Sequence, residues 1–63
     1  MTPDRGIELA GAWPKDRTIP RRLAAGIQAT TGRDKQLLKR LVEALYAASE
    51  TTEDLELLEK YFS

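Results

Sequence analysis

The sequence predicts an all-α fold: a small three-helix domain over residues 18–63, preceded by an irregular N-terminal arm over residues 1–17. Three observations predict it. After position 17, apolar residues recur at three- and four-residue spacing, the pattern of one helix face. Each periodic segment is entered at a threonine, a residue suited to capping a helix N-terminus. Nothing after residue 17 alternates with the two-residue period of a strand.

The arm carries Pro3, Gly6, Gly11 and Pro14, so breakers of regular structure punctuate it throughout. Two signals compete within it. Thr2-Pro3-Asp4 offers a cap and a helical first turn, whereas Ile7, Leu9 and Trp13 all sit at odd positions, the period of a strand. A lone strand would need another chain to pair with. The arm is therefore expected to gain its order from contact, and to exchange its amide protons faster than the central helix.

The first predicted helix covers about 19–30. Thr18 supplies a hydroxyl cap, and Pro20 lies in the first turn, where its missing donor costs little. Ile19, Leu23 and Ile27 form a narrow apolar stripe with Arg21, Ala25 and Gln28 on the far side. Gly26 lies near the stripe. It either admits a close neighbour or simply lowers helix propensity by about 1 kcal/mol relative to alanine.

The second helix covers about 33–49, entered through Gly32 and a Thr31-x-x-Asp34 sequence that resembles a capping box. Leu37, Leu38, Leu41, Val42, Leu45 and Tyr46, with Ala44 and Ala48, sweep more than half its circumference at about 100° per residue. One neighbour cannot cover such an arc. This helix should be central, packed between two others or between one other and a second subunit. The third helix covers about 52–62, entered through Ser49-Glu50-Thr51-Thr52, which offers two hydroxyl caps, with Glu53-Asp54 in the first turn, where the helix dipole favours acid. Leu55, Leu58, Tyr61 and Phe62 form its apolar face with Leu57 at the edge, and Glu56 and Lys60 are placed for an i,i+4 pair.

Composition narrows the function. The chain has 63 residues, no cysteine and no histidine. Disulfides, the usual zinc ligands, and Ser-His or Cys-His nucleophile systems therefore fall away. Gly26 and Gly32 are one residue too far apart for a phosphate loop, and Gly32 is followed by Arg33-Asp34 rather than Lys-Ser or Lys-Thr. The acids Glu50, Glu53, Asp54, Glu56 and Glu59 lack the spacing and central glycine of a calcium loop and read as a solvated helix face. The expectation is a protein that is not an enzyme and uses no cofactor or metal. No segment is apolar over the roughly 18 residues that span a bilayer, and the first residues lack a signal-peptide core, so a cytoplasmic protein without membrane contact is expected.

Formal net charge is +0, yet the charge is split. Residues 1–42 carry nine basic and four acidic side chains, and residues 43–63 carry one and six. Lys15, Arg17, Arg21, Arg22, Arg33, Lys35, Lys39 and Arg40 could form a phosphate-binding surface, the basis of an alternative reading as a small DNA-binding transcriptional regulator using the 15–40 region. The long apolar second helix is poorly suited to reading base edges. The favoured reading is a non-catalytic helical protein–protein interaction module, acting as a small regulator, adaptor or inhibitor. Its partner is another protein, with self-association as a dimer, and nucleic acid is the less favoured partner. Candidate partner-binding residues are Trp13, Ile7 and Leu9 in the arm, with Arg17, Arg21 and Arg22 as a charged rim. Trp13, the only tryptophan, has a second reading: it folds back to complete its own core.

Overall fold

The computed structural model describes residues 1–63 as four helices and no strands: α1 (Pro3–Gly11), α2 (Ile19–Ala29), α3 (Gly32–Ala48) and α4 (Thr52–Phe62). The all-α class is as predicted, and the three expected helices recur as α2, α3 and α4 with ends within a residue. The correction lies in the N-terminal segment. Residues 3–11 are helical, so the fold has four helices rather than three, and the irregular part shrinks to the turns of residues 12–18.

Local chemistry and packing together make α1. Thr2 Oγ1 accepts the Arg5 N–H at 3.2 Å, Pro3 opens the helix and Asp4 stands in the first turn. Gly6, Leu9 and Trp13 then fall at three- and four-residue steps, and all three are buried. The odd-numbered pattern that suggested a strand is broken by Ile7, which is 58 % exposed. Gly6 acts as a contact point rather than a break. A Cβ there would overlap Leu38 Cδ2 and lie 2.8 Å from Leu41 Cδ1, so the missing side chain lets α1 settle closely on α3.

Leu9 and Trp13 join Ile19, Leu23, Ile27, Leu38, Leu45 and Leu58 in one core. α2 and α3 each touch all three other helices, while α1 and α4 do not touch each other. Helices from its own chain thus cover the Leu38, Leu41, Val42, Leu45 and Tyr46 part of the wide α3 arc, while Leu37, Ala44 and Ala48 stay exposed. α1 runs parallel to α3: Met1 lies at Thr30, Gly6 over Leu38 and Leu41, and Trp13 at Leu45 and Ser49. The Cα radius of gyration is 10.6 Å, which equals the roughly 10.6 Å expected of a compact chain of this length. No helix is long and apolar enough to cross a membrane.

The helix ends depart from expectation in instructive ways. Both Thr31 and Thr51 begin a T-x-x-D sequence, but only Thr51 closes a capping box, with Thr51 Oγ1 accepting the Asp54 N–H and Asp54 Oδ2 accepting the Thr51 N–H, each at 3.2 Å. Thr31 makes no such bond although its backbone matches that of Thr51; the residue after it, Gly32, takes φ +70°. Thr18 does not cap α2 either; its hydroxyl donates to Asp16 Oδ1 at 2.6 Å. Gly26 does admit a close neighbour, and that neighbour is the Met1 side chain: a Cβ would meet Met1 Cε at 2.5 Å and Sδ at 2.7 Å. Thr30 completes this corner, donating to Gly26 O at 2.7 Å and accepting from the Met1 amino group at 3.0 Å. On α4 the buried face is Asp54 and Leu58, with Leu57, Tyr61 and Phe62 half-buried. Leu55, expected inside, is 41 % exposed, and Lys60 lies 5.6 Å over the Tyr61 ring instead of bonding to Glu56.

Candidate functional site

The one buried acid organises the polar interior. Asp54 is 4 % exposed at the N-terminus of α4, and its Oδ2 accepts the Glu50 N–H at 2.8 Å as well as that of Thr51. Its Oδ1 accepts from Arg17 Nη1 at 2.5 Å. The Glu50 backbone donor contributes most, with the Arg17 guanidinium next, and together they hold the Asp54 carboxyl down at about 2 against partial desolvation. Arg17 also donates to Pro14 O at 3.1 Å and lies with Cζ 4.8 Å from the Trp13 ring centroid. Trp13 Nε1 in turn donates to Leu45 O at 3.1 Å and Ser49 Oγ at 3.3 Å. The chain from α1 to α2, the end of α3 and the start of α4 are thereby tied at one point, and no buried side-chain polar atom lacks a partner.

The stretch Lys15-Asp-Arg-Thr-Ile-Pro-Arg-Arg22 is mostly consumed by folding. Asp16 accepts from the Thr18 hydroxyl and the Thr18 N–H and lies 3.5 Å from Arg22 Nη1. Those bonds, the Thr18 hydroxyl first, hold its carboxyl below the ordinary value. The other basic residues, Arg33, Lys35, Lys39 and Arg40, belong to α3.

The predicted contact residues therefore separate. Leu9 and Trp13 are core, as the second reading of Trp13 anticipated, with Trp13 only 4 % exposed. Arg17 clasps Asp54, and Arg22 reaches back to Asp16 in the turn before α2. Arg21 and Ile7 are exposed and remain free to meet a partner.

Ile7 belongs to a larger surface. Going round α1 from Gly6, one direction reaches buried Leu9 and the other reaches Ile7. Going round α3 from the Leu38–Leu41 contact, one direction reaches half-buried Val42 and Tyr46, and the other reaches Leu37, 39 % exposed. α2 touches both α1 and α3 and covers the Leu9 and Val42 side. Ile7 and Leu37 therefore flank the α1–α3 seam on its open side, with half-buried Leu41 and Ala10 on its floor. Sequence reasoning missed Leu37 because it lay within the continuous apolar arc of α3. The signal that identifies it is its neighbours: Arg33 and Arg40, at i−4 and i+3, mark the solvent edge of that arc.

The acidic side chains form no group of three or more positioned to hold a metal ion. Compared with protein-family models, curated proteins and solved structures, the chain matches none.

Proposed function

We propose that this protein is a non-catalytic helical interaction module, a small regulator, adaptor or inhibitor that works by protein–protein contact through the open side of the α1–α3 seam. The observation that carries the reading is the exposure of Ile7 and Leu37 on one flank of a seam formed by two packed helices. Elsewhere Leu55 on α4 is the one other exposed large apolar side chain. An apolar strip with charged margins on rigid elements has the anatomy of a contact surface, with an apolar centre and a polar rim. The DNA-binding alternative is less well supported, since Arg17 and Arg22 have partners within the chain.

A photo-crosslinking amino acid at position 37, with position 28 on the exposed face of α2 as reference, tests the proposal in cells producing the full chain. A discrete protein adduct, to another polypeptide or to a second copy, is expected from position 37 and not from position 28. Adducts to nucleic acid, or equal labelling from both positions, would overturn it.

A further inference from the structure

The flank that carries Ile7 and Leu37 has margins of opposite charge. Beyond Ile7, moving away from the seam on α1, come Asp4 and Glu8 at about 60° and 100° further round. Beyond Leu37 on α3 come Arg33 and Arg40, about 40° and 60° further round. All four are exposed. Glu8 is held only by its neighbour Arg5, at 2.9 Å on the surface, and Asp4, Arg33 and Arg40 have no salt-bridge partner. One bank of the apolar strip is thus acidic and the other basic.

That arrangement is self-complementary. A two-fold axis running along the strip, parallel to α1 and α3, brings the acidic α1 bank of one copy against the basic α3 bank of the other, twice, while Ile7 and Leu37 of the two copies meet at the centre. A partner of uniform charge would be opposed along one bank. We infer that the occupant of this surface is a second copy of the same chain, in an isologous dimer with Asp4 and Glu8 of each copy facing Arg33 and Arg40 of the other. The inference rests on the reading of the seam as a contact surface and goes further by naming the partner.

Sedimentation equilibrium of the purified chain at about 100 μM, where even weak association registers, is the first measurement, and a dimer is expected. Two charge-reversed variants then test the pairing: Asp4→Arg with Glu8→Arg, and Arg33→Glu with Arg40→Glu. Each alone sets like charges against each other at both symmetry-related contacts and should weaken dimerisation at least roughly tenfold. An equimolar mixture restores opposite charge at both contacts and should recover a heterodimer of near wild-type affinity. Circular dichroism checks that both variants remain helical. Should either be unfolded, the single substitutions Asp4→Arg and Arg40→Glu repeat the test.

A monomeric wild type overturns the inference, as does a dimer indifferent to both variants or a mixture that stays monomeric. A monomer whose position 37 still crosslinks to a different protein leaves the contact surface standing and removes only the second copy. A monomer with no crosslink removes both.

Discussion

Arg17 Nη1 and Asp54 Oδ1, 37 residues apart in sequence, stand 2.5 Å apart and join the entry of α2 to the start of α4. The pair has a pH consequence with a definite sign. The folded Asp54 carboxyl sits at about 2 against an ordinary 3.8. In the window between these values the unfolded chain binds more protons, so folding loses stability as pH falls. The contribution is fully present above about pH 4 and gone below about pH 2. Melting temperatures of wild type and Asp54→Asn should differ most near neutrality and converge through that window. A gap unchanged from pH 5 to pH 2 would show that the Asp54 charge contributes nothing.

The tryptophan beside this pair should behave as core. Its emission should be blue-shifted and poorly quenched by acrylamide in the isolated protein. Trp13→Phe loses the indole donor, at a cost of about 1 kcal/mol. Trp13→Ala should cost about 3–5 kcal/mol, as much as a domain of this size typically has, and should leave the chain largely unfolded. Urea denaturation measures both.

Two glycines on the same helix should respond oppositely to alanine. At Gly11 a Cβ meets nothing within 4 Å and φ is not positive, so Gly11→Ala should stabilise by about 0.4–1 kcal/mol. At Gly6 a Cβ overlaps leucine side chains of α3, so overpacking of about 1–3 kcal/mol outweighs the gain of about 1 kcal/mol in helix propensity. Thermal denaturation should lower the midpoint for Gly6→Ala and raise it for Gly11→Ala. Equal shifts would contradict the α1–α3 contact.

These glycines also show what the sequence could and could not convey. α2, α3 and α4 were legible because repeated apolar steps and hydroxyl entries agree over 11 or more residues. α1 was not, because its buried face is Gly6, Leu9 and Trp13. A glycine on that face looks like a break until the leucines it admits are known. Asp54 was read as a surface charge near a helix dipole, since nothing local shows that Arg17 will reach it. Of the candidate contact residues only Ile7 and Arg21 are exposed without a partner in the chain. Leu37 joins Ile7 through a packing of α1 on α3 that periodicity alone does not specify.

For the basic residues, the internal roles of Arg17 and Arg22 predict weak nucleic-acid binding, no tighter than about 10 μM at physiological salt. A mobility-shift titration with mixed duplexes checks this. Submicromolar binding abolished by Arg21→Ala, with the helical spectrum unchanged, would favour the DNA-binding alternative. Arg17→Ala should lower thermal stability in the absence of any nucleic acid, whereas Arg21→Ala should leave it unchanged.

The proposed contact surface requires α1 to be a folded wall before any partner arrives, rather than an arm ordered by binding. Amide hydrogen exchange of the isolated protein, read residue by residue by NMR at a concentration low enough to keep it monomeric, tests this directly. Amides from Leu9 to Trp13 should be protected to within about tenfold of those around Leu38 and Leu45, because all of them open only when the shared core opens. Exchange of residues 5–13 at the free-chain rate, with α2, α3 and α4 still protected, would contradict it.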